Sequence, residues 1–171
     1  MQPGCNSGLS TRWVIADLHF GDARLCGSDA RPFSSATEMD AELARRWNEA
    51  VAPADTVFVL GDLGRRFDMD AVRGLNGRKH LVAGNGDDLT TMTRAGVFET
   101  ITVARWERGF LLTHIPVHPS QLRGWTINVH GHLHGAVVDD PRYRCVSVEQ
   151  TDYRPVRLES LGQRSAQGSL F

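Results

Sequence analysis

Cysteine is scarce: the chain has three, Cys5, Cys26 and Cys145, widely spaced and without a CxxC pair. That count excludes a disulfide framework and a thiolate metal site, and it points to a reducing, cytoplasmic compartment. Long apolar runs are missing too. The opening "MQPGCNSGLSTR" lacks the apolar stretch of a signal peptide, and no later segment is apolar enough to span a bilayer. Lysine occurs once, at Lys79, so the other basic side chains are all arginine. Arginine's planar fork suits phosphate oxygens, but the base composition of the gene, which also fits the many Ala and Gly, explains the bias more simply. With a formal net charge of −1, a broad electrostatic grip on nucleic acid or on an anionic membrane is not expected.

What is present suits one soluble globular domain. The 171 residues are 41% apolar and 23% charged, enough for a single core. The domain is expected over 1–160, with a mobile polar tail at 161–171. "RWVIAD" (12–17) and "DTVFVLGD" (55–62) read as buried strands, with a third at 79–84. Between the first two, residues 35–51 read as a helix. Ser35 and Glu38 have capping-box spacing, and Met39, Leu43 and Trp47 share one face. A short helix is expected around 68–75. Strands follow at 98–106, 109–114, 126–132 and 143–150, with "RWERG" as a hairpin turn. The pattern predicts an α/β protein of two packed sheets flanked by helices.

Polar residues gather where these strands end: Asp17 and His19 in "DLH", Asp62 in "GD", Asn85 and Asp87 in "GNGD", His114 in "TH", and His132 and His134 in "GHLH". A single strand-end histidine is more often a core or surface residue, and a "GD" pair is usually turn chemistry. Five such pieces, each at a carboxyl end, form the edge where open α/β sheets bind ligands. Burying so many ionisable groups is costly unless positive charge neutralises them. An all-nitrogen-and-oxygen donor set suits Mn²⁺, Fe²⁺, Zn²⁺ or Ni²⁺.

The ordered series D-x-H, G-D, G-N-x-D, H, G-H-x-H, spanning residues 17–134, resembles the calcineurin-like metallophosphoesterase superfamily. "RPFSSATEMDAELARRWNEAV", "LNGRKHLVAGN" and "NVHGHLH" resemble its small bacterial and phage branch. The resemblance implies the metallo-dependent phosphatase fold, a four-layer α/β/β/α sandwich of two mixed β-sheets. It also implies two divalent ions, Mn²⁺ the first choice. Asp17, His19 and His134 would hold one, Asn85, His114 and His132 the other, with Asp62 between them and a metal-bridging hydroxide as nucleophile.

Gly86 departs from the family, which usually has a histidine there, near the leaving-group oxygen and supported by the position of Asp87. Without that acid, alkyl phosphomonoesters should be poor substrates, and a glycine is expected to leave room for a diester's second substituent. The resemblance therefore favours a phosphodiesterase acting on a small nucleotide diester, such as a 2′,3′-cyclic nucleotide, or on a nucleic-acid end. A broad phosphomonoesterase is the alternative within enzymes, and a non-catalytic protein-binding scaffold the alternative outside them. Asn85, Asp87 and His118 are the catalytic candidates, the last in the loop after His114. Arg65, Arg66 and His118 are the substrate-binding candidates, although exposed loop arginines are common. Asp22 could steady a metal ligand or only cap a turn, and His130 reads as a structural histidine inside a strand. Finally, "QGSLF" (Gln167–Phe171) resembles the bacterial sliding-clamp-binding peptide. Gln167, Ser169, Leu170 and Phe171 match it and Gly168 does not, and the terminal Leu-Phe could equally pack back on the domain.

Overall fold

The computed structural model describes residues 10–64 and 69–162. Arg65, Arg66 and the clamp-like peptide Gln167–Phe171 lie outside the described residues. The strands are β1 (Arg12–Ile15), β2 (Thr56–Val59), β3 (Arg78–Val82), β4 (Thr100–Thr102), β5 (Ala104–Glu107), β6 (Phe110–Thr113), β7 (Ile127–His130), β8 (Tyr143–Cys145) and β9 (Val156–Arg157). The α-helices are α1 (Ala36–Ala50), α2 (Met69–Arg73) and α3 (Leu89–Ala95).

Two mixed sheets result. The first has the order β4-β3-β2-β1-β9, the second β5-β6-β7-β8. Strands β1 to β4 run parallel, with β9 antiparallel at the edge. In the second sheet β6, β7 and β8 are parallel and β5 is antiparallel. Strand alternation sorts side chains between two cores. Trp13, Ile15, Val57, Val59 and Leu81 face the helices, where Met39, Leu43, Trp47, Val72 and Met92 pack on them. Val14, Phe58, Leu60 and Val82 face the second sheet and meet Phe110, Leu112 and Val129. A thin outer layer closes the far side, where Leu122, at the end of the one-turn 3₁₀ helix Pro119–Gln121, packs with Leu111 and Tyr143.

Helix α1 begins as its sequence predicts. The Ser35 hydroxyl accepts from the Glu38 N–H at 3.2 Å, while the Glu38 carboxylate accepts from the Ser34 N–H at 2.7 Å. The predicted hairpin turn is present: Arg108 (φ 44°) and Gly109 (φ 90°) both take the positive φ that a two-residue turn of the primed type needs.

Three features differ from expectation. The run 98–106 is not one strand. It divides at Val103, 80% exposed, so that β4 joins the first sheet and β5 the second. Helix α3 was not predicted, because Met92 is its only buried residue and gives no period; its signals are the Asp88 N-cap and the left-handed Gly96 C-cap. The expected strand at 143–150 stops at Cys145 and turns into a 3₁₀ helix, Val148–Gln150. At the carboxyl end, Leu161 packs against the inter-sheet core, so the described fold extends through residue 162.

Candidate metal centre

The carboxyl ends of β1, β2, β3, β6 and β7 converge on one edge, and backbone bonds lock their loops together. Asp17 N–H donates to the Gly61 carbonyl (3.1 Å), His19 N–H to Asp62 O (3.0 Å), and Gly131 N–H to His114 O (2.9 Å). The two sheets are stitched at Ala16, whose N–H donates to Val146 O (3.0 Å) and whose carbonyl accepts from Val148 N–H (3.1 Å). Gly61 has to be glycine: at φ 81° a Cβ there would lie 2.5 Å from Gly84 Cα. Eight non-glycine residues among those described have positive φ, and five of them are Asp17, His19, Asp62, His132 and His134. Such conformations cost energy and persist where surrounding contacts over-determine them, as at functional sites.

Two overlapping groups of side chains result. Ligand atoms of Asp17, His19 and His134 lie within 4.8 Å of one another, as do those of Asp17, Asp62 and His114. Asp62 reaches both halves, its Oδ2 3.6 Å from His19 Nε2 and its Oδ1 3.6 Å from His114 Nε2. Asn85 Oδ1 is 2.8 Å from His114 Nε2. The His132 ring meets His114 edge-on at 5.0 Å, and the His19 and His134 rings stack at 5.3 Å. All seven residues expected as ligands thus stand on this edge.

The electrostatics fit a cation. Asp17 is fully buried; its Oδ2 accepts from Ser147 Oγ (2.6 Å) and His132 N–H (2.8 Å), but its Oδ1 has no hydrogen-bond partner. Burial raises the Asp17 pKa against the lowering effect of these bonds. His19 Nε2 is also buried without a hydrogen-bond partner. Burial, reinforced by the Arg31 charge, lowers the His19 pKa to about 4, so the ring is neutral and its nitrogen lone pair is free to coordinate. His114 Nδ1 lies 2.8 Å from the Leu60 carbonyl. Donating its proton there leaves the Nε2 lone pair facing Asn85 Oδ1, a contact between two acceptors that a shared cation relieves. Two orphaned buried atoms and a nitrogen-and-oxygen donor set are what first-row divalent ions fit.

Supporting groups that the sequence does not single out hold this edge in place. Glu149 Oε1 lies 2.9 Å from His134 Nδ1 and 2.7 Å from Arg31 Nε. Arg31, 1% exposed, also donates to the Leu18 carbonyl (2.9 Å) and to the Asp17 carbonyl. Hydrogen bonding to Glu149 raises the His134 pKa. The only trace of these groups in sequence is the "RPF" triplet that opens the motif before α1.

The remaining candidates sit as follows. Asp87 turns its carboxylate to backbone, accepting from Gly84 N–H (2.8 Å), Leu63 N–H (2.9 Å) and Asp62 N–H (3.2 Å), which braces the loop after β2. Gly86 is held close to Asp62. Its N–H donates to Asp62 Oδ1 at 2.7 Å, and a Cβ added there would stand 2.9 Å from the same oxygen. His118 is exposed and caps the turn Pro119–Gln121, its Nδ1 2.9 Å from Ser120 Oγ. Asp22 caps the 3₁₀ turn Ala23–Leu25; hydrogen bonding from Arg24 lowers its pKa to about 2. His130 ends β7, buried, with its ring edge-on to Tyr143 at 6.0 Å. No helix among the described residues is long and apolar enough to cross a membrane.

No family model matches the chain. The gene 66 protein of Mycobacterium phage L5 is 29% identical over 168 residues, covering 76% of this chain and 80% of that protein. Among solved structures, the protein of unknown function AQ665 from Aquifex aeolicus shares the fold, with a TM-score of 0.70 at 23% identity over 90% of this chain and 98% of that one. The uncharacterized protein MJ1445 of Methanocaldococcus jannaschii is 32% identical over 161 residues, 86% of either chain, and the present chain belongs to the same family as that archaeal protein.

Proposed function

We propose that the chain is a metal-dependent phosphoric ester hydrolase that prefers phosphodiesters. The observation that carries this reading is the convergence of Asp17, His19, Asp62, Asn85, His114, His132 and His134 on one sheet edge, with Asp17 Oδ1 and His19 Nε2 buried and without hydrogen-bond partners. Asp17, His19 and His134 would hold one divalent ion, and Asn85, His114 and His132 a second. Asp62, with one oxygen toward each half, would span both, and Mn²⁺ is the first choice of metal. Such ions activate water at neutral pH and neutralise charge on phosphoryl oxygens.

The protein's own groups set the substrate preference. Gly86 offers only a backbone N–H, already given to Asp62, and Asp87 is engaged with backbone. Neither can protonate a leaving group, and such help is worth about 10²–10⁴-fold, most where the leaving group is poor. Esters that need least protonation of the leaving oxygen suffer least, the strained five-membered ring of a 2′,3′-cyclic nucleotide among them. A net charge of −1 favours a small diester such as a 2′,3′-cyclic nucleotide over a long duplex, which would want a basic track.

The test is hydrolysis of bis-p-nitrophenyl phosphate against p-nitrophenyl phosphate with Mn²⁺, for the wild type and Asp62→Asn. Faster turnover of the diester, lowered by about 100-fold or more in Asp62→Asn, supports the reading. Equal rates on the two esters would give the phosphomonoesterase alternative. Bound metal with no hydrolysis of either would give the scaffold.

A further inference from the structure

At the opposite edge, where β1, β2 and β3 begin, the two sheets part around a cleft of about 800 Å³. That volume lies within the usual range of small-molecule sites. Its walls break the rule that governs the rest of the inter-sheet core. Arg12, Thr56 and Arg78 are register neighbours on β1, β2 and β3. Each lies two residues before Val14, Phe58 or His80, so it points to the same inner face as Val14 and Phe58, both members of the inter-sheet core. Across the gap, Arg105 and Glu107 pair with Leu112 and Phe110, which also face that core. Positions that a sandwich normally fills with apolar side chains carry guanidinium groups here, and inward charge is costly unless it is compensated.

The compensation is incomplete. Arg12 is matched by Glu107 (2.7 Å) and Glu159, Arg105 by Glu107 (3.4 Å), and His80 by Glu99 (3.5 Å). Arg105 also lies over the Phe58 ring at 4.9 Å. Arg78 and Arg108 line the same cleft with no carboxylate within ion-pair distance among the described residues. The Arg78 side chain donates only to the Thr56 hydroxyl (3.1 Å), whereas Arg157, opposite Trp13 in the β1–β9 register, rests over that ring at 5.5 Å on the helix-facing side, away from the cleft. Four guanidinium groups, Arg12, Arg78, Arg105 and Arg108, thus face three carboxylates, Glu99, Glu107 and Glu159, an excess of one fixed positive charge. The hydroxyls of Ser10 and Thr56, 3.3 Å apart, add donors at the same mouth.

We propose that this cleft is an anion-binding site for a small phosphate ester or diphosphate, held by Arg78 and Arg108. Guanidinium forks make paired, charge-assisted hydrogen bonds to phosphate oxygens, and the anion's charge offsets the excess. The site stands at the opposite end of the strands from the candidate metal centre, and it does not depend on the hydrolase reading.

The test is titration calorimetry of the full chain, stripped of metal by a chelator and then dialysed, with inorganic pyrophosphate and with ADP as separate probes. Saturable one-to-one binding is expected. It should weaken as NaCl rises, fall at least about tenfold in Arg78→Gln/Arg108→Gln, and survive in Asp62→Asn. Equal affinity for the two probes would mean that the diphosphate alone is recognised; tighter ADP binding would mean that the base is gripped as well. The proposal is overturned if neither probe saturates by about 10 mM, or if binding persists in the double variant and is lost in Asp62→Asn. Thermal melting checks that the double variant folds. If it does not, Arg108→Gln, on the exposed hairpin turn, is the substitute, and unchanged affinity there would also overturn the proposal.

Discussion

Glu149 holds His134 from behind: its Oε1 lies 2.9 Å from His134 Nδ1, which turns Nε2 of that ring toward Asp17 and His19. Such a partner fixes the tautomer and orientation of a metal-binding imidazole, and its loss typically costs about 10–100-fold in metal affinity. Glu149→Gln should therefore weaken Mn²⁺ binding by an amount in that range, measured by calorimetry on the apoprotein. Unchanged affinity would mean that His134 is not a ligand or needs no orientation.

Arg31 stands one step further back. Burial raises the Glu149 pKa, but bonding to His134 and the Arg31 charge outweigh it and leave the carboxyl below its ordinary value. With side chains 2% and 7% exposed, Arg31 and Glu149 form a buried pair. Removing one partner of such a pair costs about 3–5 kcal/mol, because the other charge is left unmatched. Arg31→Met should lose about that much in urea denaturation at pH 7. Arg31→Met/Glu149→Leu should recover part of the loss while still binding metal poorly, which separates folding from metal holding.

Much of the candidate metal centre is legible in sequence because each expected ligand comes within a few residues of the carboxyl end of an apolar strand, so the strand pattern places all of them on one edge. What holds them is not. Arg31 meets Glu149 across 118 residues of chain, from a loop without periodicity. Glu149 sits in a run that reads as strand and folds as a 3₁₀ turn. The arginine cleft is hidden for a related reason: Arg12, Arg78 and Arg105 each look like an ordinary solvated strand residue, and only the register between strands shows that they face inward together. The division at Val103 is equally silent, since an exposed valine inside "TITVARW" leaves the β pattern unbroken.

Gly86 provides a sharper test than its departure from the family suggests. Because a Cβ there would come within 2.9 Å of Asp62 Oδ1, the smallest side chain already presses on the carboxylate that reaches both halves of the site. Gly86→Ala should lower diester turnover while costing only about 1–3 kcal/mol of stability, the usual range for overpacking. Gly86→His should do no better on monoesters than Gly86→Ala, because both displace Asp62. A gain in monoester turnover specific to Gly86→His would show that Asp62 can move aside and that an imidazole at this position restores proton donation.

Acid stability depends on a carboxylate far from the metal centre. Asp55 is buried, and burial alone would raise its pKa. Hydrogen bonds from Trp13 Nε1 (2.9 Å), Ala52 N–H (3.0 Å) and Thr11 N–H (2.9 Å) outweigh that and hold it below the ordinary carboxylate value. A group whose pKa is lower folded than unfolded adds stability that is fully present above its unfolded pKa, about 3.9, and is lost as pH falls through the folded one. Asp55→Asn turns an amide toward donors that need an acceptor, so it should cost about 2–3 kcal/mol at pH 7. Protonating the wild-type carboxyl makes a similar mismatch. The gap between wild type and variant in urea denaturation should therefore narrow as pH is lowered from about 5 toward 2. A gap of constant size across that range would mean that Asp55 contributes by shape alone and not by its charge.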